Sequence, residues 1–181
     1  MLFEFNVKIS DEDYFEFNKF HMIKSHYGRS QMLKIRLMIA AIFVLAILVF
    51  GMGDGLSSYT LVYAVPCLIA LVLFQIFFNK FMAASLRSHI KSLKKKGKMG
   101  YSPESVLQFY DDVLVETTPT EKNERSYSTL ERVSIVGDET VYIHFNNIMA
   151  CILPRASFES DEQYKAFLEF IKTKCDNIDV Y

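Results

Sequence analysis

Two uncharged runs constrain this chain more than any other feature in it. Residues 37–53 read LMIAAIFVLAILVFGMG, and residues 56–78 follow with no charged side chain before Asn79 and Lys80. One helix across the hydrocarbon core of a bilayer takes roughly 20 apolar residues, within about 17 to 25. The second run meets that length. The first sits at the short end, and snorkelling by Lys34 and Arg36 lets its helix begin near Met32. A buried αα-hairpin of a water-soluble protein is the competing reading, but neither run has the polar stripe of such helices. The runs predict a transmembrane helical hairpin over residues 32–79.

Charge gives the hairpin a direction. The chain has 20 Lys or Arg against 21 Asp or Glu, and this near balance hides segregation. Residues 1–18 hold five acids and one Lys, 19–36 hold five basic residues and no acid, and 80–98 hold seven basic residues and no acid. Residues 101–181 hold fifteen acids against seven basic residues. Cations flank both outer sides of the hairpin, while the linking turn, with Gly51, Gly53 and Gly55, carries only Asp54. The positive-inside rule places both termini in the cytoplasm and the turn outside. An early basic segment followed by an apolar run and a cleavage site is absent, so no export signal is expected. Cys67, Cys151 and Cys175 show no ligand spacing and read as free thiols.

Residues 2–9 alternate, with Phe3, Phe5 and Val7 on one side and Glu4, Asn6 and Lys8 on the other, as a half-buried strand does. Ser10 and Asp13 have the spacing of a capping box for a following helix, with Asp11 and Glu12 at its positive end. A lone N-terminal strand is unstable in water, and its only available partner sheet lies beyond the hairpin. The two ends of the chain are therefore expected to meet in one domain. His21 and His26 fall in the cationic segment before the membrane, without a third ligand at a metal-binding spacing.

The segment KFMAASLRSHIKSLKKKGK, residues 80–98, reads as a basic juxtamembrane helix that continues the second span and bends along the headgroups. Lys80, Arg87, Lys91, Lys94, Lys95, Lys96 and Lys98 are its candidate contacts with anionic inner-leaflet lipids, each contributing roughly 1 kcal/mol near the surface. Nucleic acid is not an expected partner, because base-reading or stacking companions are missing. Gly97, Gly100 and Pro103 end this helix.

After Pro103 the period changes to that of strands. Residues 105–110, 113–118, 125–128, 133–136, 140–145 and 148–153 read as strands, separated by Asp111-Asp112, a polar loop over 120–124, Gly137-Asp138 and Asn146-Asn147. Ser160 with Gln163 opens a helix bearing Tyr164, Phe167, Leu168 and Ile171 on one face. With the N-terminal strand this makes seven strands and a helix. The fold expected is α+β: a two-helix transmembrane hairpin inserted into a small, strongly bent antiparallel sheet of pleckstrin-homology-like kind with a C-terminal helix. Its parts are an N-terminal cytosolic strand and helix (1–31), the hairpin (32–79), the basic helix (80–100) and a cytosolic β domain (101–181).

Tyr127-Ser-Thr-Leu130-Glu-Arg-Val133, Val141-Tyr-Ile-His-Phe145 and Cys151-Ile-Leu-Pro-Arg-Ala-Ser-Phe158 resemble, in this order, the C-terminal domain of the YcxB-like bacterial membrane proteins. The resemblance is strongest over about 101–173, and the early strand and helix followed by two apolar segments also match that family's layout. It implies a domain anchored in the bacterial cell membrane by two spans, with its bulk in the cytoplasm. It carries no catalytic residues and no cofactor.

No catalytic constellation stands out. Asp111 and Asp112 fit a solvated turn and, with Glu116, lack the spaced oxygens of a calcium loop. His144 lies between Ile143 and Phe145 and points away from their face, and Cys151 sits in an apolar run that favours an inert thiol. Neither a nucleophile elbow nor a Gly-rich phosphate loop is present. At Pro154 the last strand stops, leaving Arg155 at a strand-to-helix corner as a candidate recognition residue, with Arg125 or Arg132, for an acidic partner or a headgroup. The reading is a membrane-anchored interaction or sensory-support module with an unidentified protein partner. Its competitors are a membrane enzyme using Asp111, Asp112, His144 or Cys151, an anionic-lipid sensor, and an oligomeric transporter or channel component.

Overall fold

Alternation at the N-terminus and alternation after residue 103 come together in one sheet. The computed structural model describes residues 1–51, 58–146 and 149–181. The Gly53, Asp54 and Gly55 turn, and Asn147 and Ile148 of the last expected turn, lie outside the described residues. By contacts the chain divides into Met1–Phe17 with Met99–Tyr181, and Asn18–Lys98.

The discontinuous unit is the β domain. Strand β1 (Phe3–Lys8) pairs antiparallel with β2 (Glu104–Phe109), Phe3 opposite Phe109 and Lys8 opposite Glu104. Beyond β2 lie β3 (Val113–Thr117) and then β4 (Lys122–Ser126), so the first sheet runs β1-β2-β3-β4. A second sheet has the order β7-β6-β5-β8, from β5 (Arg132–Val136), β6 (Thr140–His144), β7 (Ala150–Pro154) and β8 (Ile178–Val180). Strand β8 runs parallel to β5.

Two four-stranded sheets thus replace the single bent sheet expected from the sequence. The pairings among described residues do not close them into a barrel, so the pleckstrin-homology-like description does not stand. The order of the strands explains the difference: β4 passes into a 3₁₀ turn, Tyr127–Thr129, and β5 starts a new ladder with β6 instead of extending the first. The polar loop expected over 120–124 is shorter, because Lys122 already pairs with Thr117.

Helix α4 (Asp161–Lys172) covers the first sheet. Ser160 Oγ accepts from the Gln163 amide at 3.2 Å, and Gln163 Oε1 accepts from the Glu159 amide at 2.7 Å, which satisfies two otherwise unpaired donors. Phe167, fully buried, lies 5.6, 5.3 and 4.9 Å from the rings of Phe3, Phe5 and Phe109. Helix α1 (Asp11–Lys19) opens with the expected box: Ser10 Oγ accepts from the Asp13 amide at 3.1 Å and Asp13 Oδ2 accepts from the Ser10 amide at 2.8 Å. Its Phe17 ring packs 5.1 Å from Tyr142 on the second sheet.

The other unit is the apolar helical pair, α2 (His26–Gly51) and α3 (Ser58–Lys95). Ahead of α2, a π-helical turn, Phe20–Lys24, ends at Ser25. The buried Ser25 caps α2, its Oγ accepting from the Gly28 amide at 3.0 Å. A Cβ on Gly28 would fall 2.1 Å from the His21 carbonyl oxygen, so only glycine lets the two segments approach this closely.

Both α2 and α3 are long and apolar enough to cross a membrane. Their apolar side chains point outward: Leu37 is 61 % exposed, Val49 71 %, Val62 65 % and Ile76 66 %. The apolar run and the basic segment after it form one helix, as the reading of a continued second span expects. Helix α3 runs for 38 residues, about 57 Å at 1.5 Å per residue. Its stop is a Schellman motif, Lys98 N donating to Leu93 O and Gly97 N to Lys94 O, with Gly97 at φ 63°.

Candidate functional site

Polar side chains inside the β domain gather at two places. The first lies on the inward face of the first sheet. Register puts Glu116 opposite Leu107, and Arg125 opposite Leu114, so both charged residues share the side of the core leucines. Arg125 Nη1 donates to Glu116 Oε2 at 3.0 Å and to Cys151 Sγ, on β7 of the second sheet, at 3.3 Å. Its guanidinium stands 5.2 Å from the centre of the Phe145 ring. The Glu116–Arg125 pair is about four-fifths buried and joins the two sheets through a thiol and a ring.

This arrangement holds Cys151 as a thiol. Burial, with Glu116 adding to it and Arg125 opposing, pushes its pKa up to about 12. A neutral thiol neither attacks nor binds metal well.

The second gathering is on the opposite side of the second sheet. His144 and Tyr142 alternate with Ile143, and register sets Arg132 opposite His144 and Ser134 opposite Tyr142. Phe17 of α1 covers this face, its ring 6.2 Å from His144. Burial, with Glu16 and Asp13 of α1 next, raises the Tyr142 phenol. Ser134 Oγ is enclosed without a hydrogen-bond partner among the described residues. Arg132 faces Asp179 of β8 at 3.9 Å.

The four residues of the enzyme reading are not brought together. Cys151 pairs with Ile143, and His144 with Ala150, so thiol and imidazole occupy opposite faces of one sheet. Asp111 and Asp112 form the β2–β3 turn, where the Asp112 carbonyl accepts from the Tyr127 amide at 3.2 Å. Among the described residues no three His, Cys, Asp or Glu side chains are grouped to hold a metal ion. A groove of about 460 Å³ opens at the ends of β1, β2 and β3, but no His or Cys lines it.

Arg155 is turned to its own corner. Its guanidinium pairs with Asp161 at the start of α4 and lies 4.6 Å from the Tyr164 ring and 5.7 Å from Phe158. Arg125, Arg132 and Arg155 therefore each face an acid of the same domain. Lys80, Arg87, Lys91, Lys94, Lys95, Lys96 and Lys98 are all exposed along α3 and its C-terminal cap.

Sequence reasoning missed the Glu116–Arg125–Cys151 contact. Its signal was available: counted in steps of two from Leu114, Glu116 falls on an inward position.

The architecture defines a class: an α+β chain in which two apolar helices interrupt a small two-sheet domain. Residues 109–171 match the family model described as YcxB-like protein. The resemblance read from residues 101–173 is thus borne out for the stretch from the end of β2 through most of α4. No curated protein and no solved structure matches the chain.

Proposed function

We propose that this chain is a membrane-anchored interaction or sensory-support module, with two spans and with both termini in the cytoplasm of a bacterial cell. One observation carries the membrane part: the large apolar side chains of α2 and α3 are exposed along both helices, while basic residues collect at the Arg36 and Lys80 ends of the uncharged stretches. In water such a surface is unfavourable at about 25 cal/mol per Å²; in hydrocarbon it costs nothing.

The test combines extraction with labelling. Alkaline carbonate leaves the chain in the membrane pellet. In a background with the three native cysteines replaced by serine, Asp54→Cys reacts with an impermeant maleimide from outside, and Glu12→Cys and Lys165→Cys react only after permeabilisation. Release by carbonate, or labelling of the terminal positions from outside, overturns the reading.

The exposed cations favour a second reading, contact with anionic lipid. Along a straight α3, Lys91 lies about 16 Å past Lys80, beyond a Debye length of about 8–10 Å. Contact by Lys91 to Lys98 therefore requires α3 to tilt, whereas Lys80 is already at the surface. Trypsin cleavage at Lys91 to Lys98, compared between neutral and anionic proteoliposomes, tests it. Cleavage indifferent to lipid charge and to salt rejects it.

A further inference from the structure

Arg36 ends the charged part of α2, and the two apolar helices are joined around it. Its Nη2 donates to Asn79 Oδ1 at 3.0 Å, and its guanidinium lies 4.8 Å from the centre of the Phe78 ring. The Arg36 carbonyl accepts from Gln75 Nε2 at 3.3 Å. Asn79 and Lys80 in turn end the uncharged part of α3. One level of the helical pair thus closes the apolar region on both helices.

At this level the guanidinium has neutral partners only. Asn79 supplies a dipole and Phe78 a ring face, but neither is a countercharge. Arg36 Nε is enclosed with no hydrogen-bond acceptor among the described residues. Within Asn18–Lys98 the sequence contains a single acid, Asp54. Asp54 lies outside the described residues. Arg125 has Glu116; Arg36 has no carboxylate partner among the described residues of its own unit. A cation at the edge of hydrocarbon is costly unless an anion or water meets it.

We propose that this anion is the phosphate of a phospholipid headgroup, gripped by the Arg36 fork with Lys80 next to it on α3. A guanidinium presents paired N–H donors that match phosphate oxygens, and among the described residues its Nη hydrogens meet no acceptor besides Asn79. The surroundings commit the site to a lipid and not to free phosphate. Leu37, Phe77 and Phe81 are each more than half exposed next to the cations, so the acyl chains of the same molecule cover what phosphate alone leaves bare. Lys80 Nζ stands 5.8 Å from the Phe77 ring centre, at the border between the two kinds of contact. This inference rests on the membrane reading and adds a defined ligand to it.

The full chain, purified in mild detergent and delipidated, is titrated with phosphatidylglycerol, and bound lipid is counted by native mass spectrometry. Diacylglycerol with the same acyl chains serves as the phosphate-free comparison. The wild type retains phosphatidylglycerol and not diacylglycerol, and Arg36→Gln weakens retention about tenfold. Arg36→Lys falls between, because it keeps the charge and loses the fork. Excess inorganic phosphate leaves the lipid in place. Equal retention by wild type and Arg36→Gln, or of the two lipids by the wild type, overturns the proposal, and displacement by inorganic phosphate overturns the assignment to a lipid. Should Arg36→Gln lose helix by circular dichroism, the wild-type headgroup comparison and Arg36→Lys decide. Release of the wild type by alkaline carbonate sinks the membrane reading itself; a chain that stays embedded and ignores the Arg36 substitutions overturns only the lipid site.

Discussion

The β domain and the helical pair treat apolar side chains in opposite ways. Phe5, Phe109 and Phe167 are almost wholly enclosed between the first sheet and α4, while Leu37, Ile69 and Ile76 stand in the open on α2 and α3. Each solution suits one medium. A core closed on itself needs water outside to drive it. Helices that satisfy their own backbone and show apolar flanks suit a solvent without water, and α2 and α3 are long and apolar enough to cross one. Arg125 over Phe145 and Arg36 over Phe78 repeat the contrast, the first with the Glu116 carboxylate beside it and the second with no carboxylate among the described residues.

Four substitutions or conditions probe the contrast, from the largest effect to the smallest. Phe167→Ala removes the ring on which Phe3, Phe5 and Phe109 converge, and costs about 3–5 kcal/mol. Denaturant unfolding followed by tyrosine near-ultraviolet signals reads the loss, while the helical signal of α2 and α3 survives. Unchanged unfolding would mean that α4 does not complete the core. Ile69→Lys tests the other region. On a water-facing helix a lysine at this exposed position is nearly neutral; at the centre of a span it costs about 2.5–3.5 kcal/mol. The membrane-inserted fraction should fall, and no change would place α3 in water.

Glu116→Gln leaves Arg125 partly buried without its countercharge and lowers stability by about 1–3 kcal/mol. Adding Arg125→Met restores part of this, because the pair must otherwise be desolvated. Equal losses in the single and double variants would show that the pair itself contributes. The smallest effect is confined to alkaline pH. The Cys151 thiol is raised from 9.0 to about 12 in the folded chain, so its contribution is complete below about pH 9 and is lost as pH rises through about 12. Iodoacetamide at pH 8 should leave Cys151 unmodified, and Cys151→Ala should remove part of the alkaline destabilisation. Rapid alkylation at pH 8 would mean that the sheets open there.

Much of the fold was legible because burial writes a period into the chain. Phe3, Phe5 and Val7 announced an inward face that needed a partner, and Ser10 with Asp13 and Ser160 with Gln163 marked two helix starts. Other features left no such trace. In β4, Lys-Asn-Glu-Arg-Ser is polar at every position, since its inward Arg125 meets Glu116 and not an apolar core, so only the end of the strand was visible. Ile178-Asp-Val is too short for a period and is held by a parallel ladder to β5. The division into two sheets depends on which ladder β5 joins, and pairing is a long-range choice that local alternation does not specify. The reach of α3 past Lys80, by contrast, was legible, because a change from apolar to basic composition alters its surroundings without altering its helical propensity. At the candidate sites, the sequence showed cations flanking the two apolar runs, but Arg36 appeared only as a snorkelling flank until Gln75, Phe78 and Asn79 were placed around it.

The pairing of Phe3 with Phe109 has a consequence in time. A ribosome adding about 5–20 residues per second completes β1 some 5–20 s before β2 exists. During that interval the strand has no partner, and the two apolar helices emerge and must be sorted in between. Closure of the first sheet therefore waits for residues 104–109, and until then Phe3, Phe5 and Val7 lack the β2 ladder that they pair with in the finished domain.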